Sequence, residues 1–241
     1  MCEQYGSAYT SAKAPHFLFD NTTNRAFVKK MREWYKEGLI TTQEIYGSYT
    51  SGLFTVVGEG NKSYMSIGSS AGATHQRPGK LDSGEYPFEV GIAGIPQMEK
   101  GKTTAISQGP SLCLFKNKDP QKTLAAWLFM RHLTTSVEVQ AEFSKTSGYV
   151  PVLKSVRDIP AYADMLSKAD GGDNVAFLSV KTCLENIDGQ FTSPAFVGSS
   201  EARSQVGKLI TKVLAAPITE DDDVVIDAAF KSAINACEES I

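Results

Sequence analysis

The chain has 241 residues, of which 41% are hydrophobic and 21% charged, and its formal net charge is -3. These values are ordinary for a globular protein, and the length allows one large domain or two smaller ones. Because the charge is close to neutral and the Lys and Arg residues are scattered, the sequence lacks the basic stripe of a nucleic-acid-binding protein, and we expect no such partner.

Targeting segments and cysteine motifs are absent from the sequence. It contains no run of about 18 apolar residues, as a membrane span would need, and its first residues lack the basic and apolar regions of a signal peptide. The four cysteines lie far apart, without the Cys-x-x-Cys spacing of zinc or redox sites. We therefore predict buried free thiols, since an unpaired Cys packs as a small hydrophobic residue. They are Cys2, Cys113, Cys183 and Cys237.

The first predicted element is an amphipathic helix from Asn24 to Leu39, with Gly38 where a left-handed C-cap would fall. Its apolar residues at helical spacing are Phe27, Met31, Trp34 and Tyr35. Further on, Phe54–Val57 and the alternating Tyr64–Ile67 indicate a short strand that enters a turn. Phe88–Ile95 predicts a second, buried strand, which Pro96 ends.

The second half of the chain is predominantly helical by pattern. Asp119 followed by Pro120 is a strong helix start, because Asp accepts hydrogen bonds from first-turn amides and Pro at the first position loses none. The helix that follows, Gln121–Leu133, contains Leu124, Trp127, Leu128 and Met130, so we expect it to be largely buried. Thr135–Glu138 fits a capping box, which predicts a helix that continues to Lys145. Helical spacing predicts further helices over 161–169, over 201–215 and over 221–239. Short strands alternating with helices indicate an α/β fold.

The segment Gly68–Gly72 matches Gly-x-Ser-x-Gly, the nucleophile elbow of α/β-hydrolases. In that interpretation Ser70 is the nucleophile, and an acid and a histidine should follow it in that order. His75 lies too close for the usual order, and His132 lies within a predicted helix. The elbow also needs a helix directly after the serine, whereas Gln76–Gly79 interrupts the chain. A serine hydrolase is therefore an alternative rather than the main hypothesis.

A non-catalytic use of the same turn needs fewer conditions. Small hydroxyl residues between glycines expose backbone amides and hydroxyls to an oxygen-rich ligand. The acidic run 220–223 lacks the spacing of a calcium loop, and we attribute it, like the loop 170–174, to helix capping and the helix dipole. No residue set has metal-ligand spacing, and the phosphate-binding and dinucleotide-binding motifs are absent. We therefore predict no metal and no cofactor.

Four segments occur in an order that points to a family. They are Met-x-x-x-Ser-Ser at Met65–Ser70, a glycine turn before a strand at Gln108–Leu112, Ser-Gly-Tyr-Val-Pro at Ser147–Pro151, and the late Arg203. In this order they resemble family 1 of the extracellular solute-binding proteins of ABC importers, closest to the glycerol-phosphate branch. Gln108-Gly109 replaces the two glycines of that branch, and small residues replace the tryptophan of the maltose branch. The resemblance therefore leaves the ligand open among sugars, polyols and glycerol phosphates.

The resemblance also implies roles for particular residues. Ser69 or Ser70 would hydrogen-bond ligand oxygens, and Gly109 would let the backbone approach the ligand closely. The phenol of Tyr149 would offer a donor. Arg203 would supply a planar fork suited to phosphate or to vicinal hydroxyls. The expected ligand-binding residues are thus Ser69, Ser70, Gly109, Tyr149 and Arg203.

The fold implied by the resemblance is the type II periplasmic-binding-protein-like fold, with two α/β lobes that close around an interlobe cleft. Residues 1–96 and 151–241 would form most of the second lobe. Residues 97–150 would belong to the first lobe, with hinge crossings near 96 and 150. The chain would then be the carboxy-terminal portion of a longer receptor, and a strand around 112–115 would lack neighbours and leave an exposed edge.

The function implied is that of the substrate-binding component of an ABC importer, which delivers a solute to membrane permease subunits and performs no catalysis. Such a receptor works outside the cell or in the cell envelope, in the periplasm or anchored as a lipoprotein. The alternatives are the serine hydrolase and a non-transport carbohydrate-sensing module with the same fold.

Overall fold

The computed structural model describes residues 1–56 and 63–241, and helices dominate this part of the chain. The α-helices are α1 Thr22–Lys36, α2 Gln43–Tyr46, α3 Ser51–Thr55, α4 Pro120–Thr135, α5 Val137–Ser147, α6 Pro160–Ser167, α7 Val175–Glu185, α8 Ser199–Ala215 and α9 Asp222–Glu238. Short 3₁₀ helices span Glu3–Tyr5, Ser70–Gln76, Lys154–Asp158 and Ile187–Gly189. The strands β1 Ala105–Ile106 and β2 Gln190–Phe191 pair with each other. Within the described residues, no helix combines the length and the apolar character that crossing a membrane requires.

Several helix starts follow from side chains that accept hydrogen bonds from first-turn amides. Asn21 caps α1, Asp119 caps α4 with Pro120 at the first position, and Ser136 caps α5. The helices predicted over 24–39, 121–133, 161–169, 201–215 and 221–239 are all present. The cap of α5 is Ser136 rather than Thr135, and Gly38 has the predicted left-handed conformation, with φ of 74°.

The chain divides into two compact units. Unit 1 comprises Met1–Thr50, Gln97–Ile106 and Phe191–Ile241, and unit 2 comprises Ser51–Pro96 and Ser107–Gln190. The assignment of residues 1–96 and 151–241 to the second lobe of a receptor, and of residues 97–150 to the first lobe, stays a prediction.

Unit 1 is built on α8 and α9, which pack along each other and against α1. Its core combines two aromatic rings with small and branched aliphatic side chains. The buried members are Phe19, Val28, Ala202, Leu209, Val213, Val225, Ile226, Ala229, Phe230, Ala233 and Cys237. Burial raises the pKa of the Cys237 thiol to about 11, so this cysteine is a neutral core residue.

The most deeply buried charge in unit 1 is Arg32, whose side chain is 0% exposed. Its Nε donates to Asp222 Oδ1 at 2.5 Å. Its Nη atoms donate to the backbone carbonyls of Val213, Ala216 and Pro217 at 2.5, 3.1 and 2.8 Å. Those carbonyls lie at and just beyond the end of α8, where the last four have no helical partner. Arg32 therefore joins α1 to the end of α8 and the start of α9.

The acidic run 220–223 lies at the start of helix α9. Asp221 accepts hydrogen bonds from the amides of Asp223 and Val224 and so caps α9. Asp222 accepts from Arg32 and Lys36. The attribution of the run to capping is confirmed, with the additional finding that one member pairs with buried Arg32.

Unit 2 has two core clusters around α7. One joins α5, α6 and α7 and contains Ala141, Val156, Tyr162, Met165 and Val180. Within it, the hydroxyls of Ser144 and Tyr162 lie 2.8 Å apart and satisfy each other. The other cluster, of Ala73, Val90 and Val175, joins α7 to the 3₁₀ helix Ser70–Gln76.

The predictions of two strands from the sequence pattern were wrong. The residues of Tyr64–Ile67 form no strand, and the described part of Phe54–Val57 begins within helix α3. Val57 and the glycines that follow it lie outside the described residues. Phe88–Ile95 also forms no strand, although Val90 is buried and its amide donates to the carbonyl of Gly171. Alternation in sequence indicates extended, half-buried backbone, whereas a strand also requires a neighbouring backbone to pair with.

Expectations about burial were also corrected. Helix α4 has no buried residue, and Trp127 is 51% exposed. On α1 the buried positions are Asn24, Val28 and Arg32, while Trp34 is only half-buried. Of the free cysteines only Cys237 is buried, and Cys113 is exposed. Helix α7 had no counterpart among the predicted elements, because its sequence is apolar on most sides and has no capping side chain at its start.

We expect Arg32→Met to lower the free energy of unfolding by about 3 kcal/mol, since breaking a buried ion pair leaves a charge and several carbonyls without partners. Lys36→Met is the matched control, because Lys36 bonds the same carboxylate from a partly exposed position; it should cost less than about 1 kcal/mol. Urea denaturation of both variants tests this. Equal losses would contradict the role assigned to Arg32.

Acid should weaken the same junction. Hydrogen bonds from Lys36 and Arg32 lower the pKa of the Asp222 carboxyl. As the pH falls, the Asp222 carboxylate is therefore protonated at a higher pH in the unfolded chain than in the folded chain. The stabilisation from its hydrogen bonds is complete above the ordinary carboxyl pKa of about 3.9, and it is lost as the pH falls through the lower pKa of the folded state. Denaturation curves at several pH values below about 5 should therefore show a shallower loss of stability in Asp222→Asn than in the wild type.

Candidate functional site

The candidate site lies in unit 2, where the glycine-serine turn meets helix α7. Ser69 is exposed and has extended backbone, and Ser70 begins the 3₁₀ helix. The hydroxyl of Ser179, a buried residue of α7, donates to the carbonyl of Ser70 at 3.0 Å. The amide of Gly72 donates to the carbonyl of Ser69. These bonds fix the backbone of the turn and leave the side chain of Ser69 in solvent.

Gly148 reaches the same carbonyl from the end of α5. It has φ of 71° and caps α5 through a hydrogen bond from its amide to the carbonyl of Ser144. A Cβ atom added to Gly148 would lie 2.9 Å from the Ser70 oxygen and 3.8 Å from Cα of Ala71. Both the left-handed backbone and the close approach require glycine here. Two of the predicted segments, 65–70 and 147–151, are therefore in contact.

Tyr149 follows this contact directly and is half-buried. Its ring stacks on that of Phe143, with centroids 5.8 Å apart and planes inclined by 26°. Its amide donates to the Ser147 hydroxyl. Phe143 is exposed, so the two rings form an aromatic surface close to the serine turn. Sequence analysis missed Phe143, because no local pattern indicates that this helix residue stacks on Tyr149, which lies beyond the helix end.

The thiol of Cys183 on α7 lies beside Ser70. Burial raises the pKa of this thiol, and a hydrogen bond with the Ser70 side chain partly opposes that rise. Cys183 is therefore a neutral thiol. Together, Ser69, Ser70 and Tyr149 can offer hydroxyl groups to a ligand rich in oxygen atoms.

Gly109 lies in the same unit but is exposed, and a Cβ atom added there would meet no atom within 4 Å. Its predicted role in letting the backbone approach a ligand stays a prediction.

Arg203 lies in unit 1, on the exposed side of α8. There it lines an open groove of about 670 Å³ together with Glu44, Ser204 and Lys208, among others. Burial raises the pKa of the Tyr9 phenol, and the charge of Arg203 partly opposes that rise. Whether Arg203 contributes to ligand binding stays a prediction.

The sequence matches the family described as bacterial extracellular solute-binding protein over residues 4–169, which is more than half of the chain. The chain belongs to this family. The resemblance inferred from the four ordered segments is therefore confirmed.

A solved structure shows that the fold of this solute-binding protein is also as predicted. The chain is similar to the cyclic α-maltosyl-1,6-maltose binding protein from Arthrobacter globiformis, with a TM-score of 0.59 and 18% sequence identity. The similarity covers 98% of this chain and 54% of the other, so the chain spans about half the length of that protein. No curated protein matches the sequence. The binding-protein-like α/β fold class is confirmed.

The turn of this solute-binding protein differs from a nucleophile elbow in its geometry. An elbow places its serine on a strained turn between a strand and a helix. Here Ser70 opens a 3₁₀ helix, the described residues before it form no strand, and among the described residues only glycines have positive φ. These features do not support the hydrolase alternative.

Carboxylates near the site are used structurally. Asp170 accepts hydrogen bonds from the amides of Asn174 and Gly172 and from the Asn174 side chain, which lower its pKa. Asp173 bonds the Tyr86 hydroxyl and Lys80. In the part of the chain that the structure describes, no three His, Cys, Asp or Glu residues are grouped so that they could hold a metal ion.

Another groove, of about 390 Å³, lies in unit 2 between α6 and α7. Leu166, Leu184 and Lys181 are among its lining residues, and it contains none of the predicted ligand-binding residues. The contact between Gly148 and Ser70 is therefore the feature that defines the candidate site.

We expect Gly148→Ala to destabilise the protein by roughly 2–4 kcal/mol, because it combines left-handed strain with a clash against the Ser70 carbonyl. Gly38→Ala is the matched control: Gly38 also follows a helix and has φ of 74°, but a Cβ atom there meets nothing within 4 Å. It should cost only about 1–2 kcal/mol. Thermal and urea denaturation compare the two, and equal costs would mean that the Ser70 contact adds nothing.

Proposed function

We propose that this solute-binding protein is the substrate-binding component of an ABC importer and that its solute is a small neutral sugar or polyol. The observation that carries the proposal is the contact of Gly148 with the Ser70 carbonyl, which holds the serine turn and Tyr149 in one place. A receptor needs its polar groups fixed before the ligand arrives, since immobilising them on binding costs affinity.

The chemistry of this place suits an uncharged ligand with many hydroxyl groups. Ser69, Ser70 and Tyr149 present hydroxyls that donate and accept hydrogen bonds. The stacked rings of Tyr149 and Phe143 offer an apolar face beside them. A sugar has hydroxyls at its edges and apolar C–H groups on its faces, so it complements both.

The protein of the similar solved structure is named after a sugar that it binds, cyclic α-maltosyl-1,6-maltose. This supports a carbohydrate over glycerol 3-phosphate as the ligand class. The groove around Arg203 is the part of the chain best suited to a phosphorylated solute, and it keeps the glycerol-phosphate-type ligand as the second candidate.

The remaining parts of the proposal follow from the family. The partners would be the membrane permease subunits of the importer, and the protein would act outside the cell or in the cell envelope, in the periplasm or as a lipoprotein. We infer a binding role rather than a catalytic one, because the family that the chain matches is one of solute-binding proteins. Among the alternatives, a carbohydrate-sensing module would use the same binding residues and would differ only in its partner.

We expect maltotriose to bind the chain and each of Ser70→Ala and Tyr149→Phe to weaken binding about fivefold, which corresponds to the loss of one hydrogen bond of about 1 kcal/mol. Ligand-observed NMR titration with millimolar sugar detects even weak binding. Thr182→Ala is a matched control, because it removes a hydroxyl of the same unit that bonds the Leu178 carbonyl within α7. Unchanged affinity in both site variants, with folding intact, would refute the assignment of the site.

If the Arg203 guanidinium bonds phosphate or paired hydroxyls, we expect Arg203→Ala to weaken solute binding by roughly 1.5–3 kcal/mol. Arg203→Lys should recover only part of this loss, because Lys lacks the planar fork. Calorimetry with glycerol 3-phosphate and with maltotriose measures both ligand classes. Lys208→Ala, on the same groove, is the control for a general effect of charge. No change with either solute would exclude Arg203 from the site.

A further inference from the structure

The side chain of Gln76 contains a buried polar atom that no hydrogen bond satisfies. Its Oε1 is buried and has no partner among the described residues. In the described part of unit 2, the other buried side-chain atoms without a partner are Nε of Arg77 and Nε of Arg157, so Gln76 is the uncharged side chain in this state. Buried polar groups are normally hydrogen-bonded, because leaving one unpaired costs stability. The unpaired oxygen of Gln76 therefore needs a functional explanation.

Gln76 lies at the serine turn through the geometry of its helix. It ends the 3₁₀ helix that Ser70 begins. Because a 3₁₀ helix has three residues per turn, Ser70, Ala73 and Gln76 follow one another along one face. Ala73 packs in the core and so fixes the direction of this face. A Cβ atom added to Gly68 would lie 3.9 Å from Gln76 Nε2. The carboxamide of Gln76 therefore lies against the residue that directly precedes Ser69.

Both ends of this 3₁₀ helix are held by hydrogen bonds to α7 or to the loop before it. At its start, the Ser179 hydroxyl donates to the carbonyl of Ser70. Just after its end, Nη1 of Arg77 donates to the carbonyl of Gly172 at 2.8 Å. The backbone that carries Gln76 is thus fixed, and its side chain needs no rearrangement of the fold to act at the serine turn.

We propose that Gln76 is a further ligand-binding residue of the serine turn and that its carboxamide bonds two neighbouring hydroxyls of a sugar. This inference rests on the proposed function of that site. The terminal torsion of a glutamine side chain has a broad energy profile, so a rotation about it turns Oε1 towards the serine turn. There Oε1 accepts a hydrogen bond from one ligand hydroxyl, and Nε2 donates to the next.

The burial of Oε1 is what makes it suitable for this role. An exposed acceptor must give up its water before it can bond a ligand, and this loss reduces the affinity. Oε1 of Gln76 has already lost that hydration in the folded chain, so a ligand hydroxyl gives it a partner that it lacks. The same residue then lowers the stability of the free protein and raises its affinity for the solute.

Gln76→Met tests this opposition, because it keeps the length of the side chain and removes both polar atoms. It should weaken maltotriose binding at least fivefold in the NMR titration, while the urea midpoint stays the same or rises. Gln140→Met is the matched control in the same unit: its carboxamide donates to the Leu133 carbonyl and accepts from the Val152 amide. This variant should lower the midpoint. A lower midpoint for Gln76→Met, with unchanged affinity, would show that Gln76 is merely structural and would overturn the proposal.

The side-chain amide protons of Gln76 give a direct readout of the same contact. Their NMR signals are assigned by their loss in Gln76→Met, and maltotriose should shift them in proportion to the bound fraction. If the wild type binds maltotriose and Ser70→Ala weakens binding, but the Gln76 signals do not move, the role of Gln76 is refuted and the serine-turn site stands. If the wild type does not bind maltotriose at all, the proposed function fails and this inference fails with it.

Discussion

The backbone carbonyl of Ser70 is the point at which three distant parts of unit 2 meet. Ser179 donates a hydrogen bond to it from α7, and Gly148 lies against it at the end of α5. A carbonyl with a buried donor on one side and a glycine on the other cannot shift without losing a bond or opening a gap. The serine turn and Tyr149 thus belong to one rigid arrangement, although about 80 residues separate them along the chain.

Unit 1 uses a different device for a similar purpose. The guanidinium of Arg32 bonds one carboxylate and three carbonyls, and so joins the end of α8 to the start of α9. Burying a charge is costly unless each of its donors finds a partner. Arginine suits this position because its planar fork supplies several donors in fixed directions. Unit 2 fixes its junction with neutral groups, the Ser179 hydroxyl and the Ser70 carbonyl.

Membership of the family and the geometry of unit 2 support the same kind of function. A solute-binding protein needs preorganised polar groups beside an apolar face and needs no catalytic machinery. In the proposed site, the serine turn, the Tyr149 hydroxyl and the aromatic pair would meet the first requirement. The carboxylates Asp170 and Asp173, which a catalytic interpretation would want free, are occupied in fixing the loop before α7.

The sequence by itself determined those features that depend on neighbouring residues. The capping side chains Asn21, Asp119 and Ser136 and the left-handed glycines placed the helix ends, because these interactions act within one turn. The ordered segments from Met65 to Arg203 identified the family, whereas the ligand-binding roles of Ser70 and Tyr149 stay predictions.

Only the tertiary structure decided the properties that depend on distant partners. Composition favoured burial for α4, yet exposure depends on which other elements cover a helix. Alternation favoured strands at 64–67 and 88–95, yet a strand exists only where a second backbone pairs with it. Ser179, Phe143 and Arg32 carry no local signal of their roles. Each acts through a contact with a residue that the fold, and not the order of the chain, brings close.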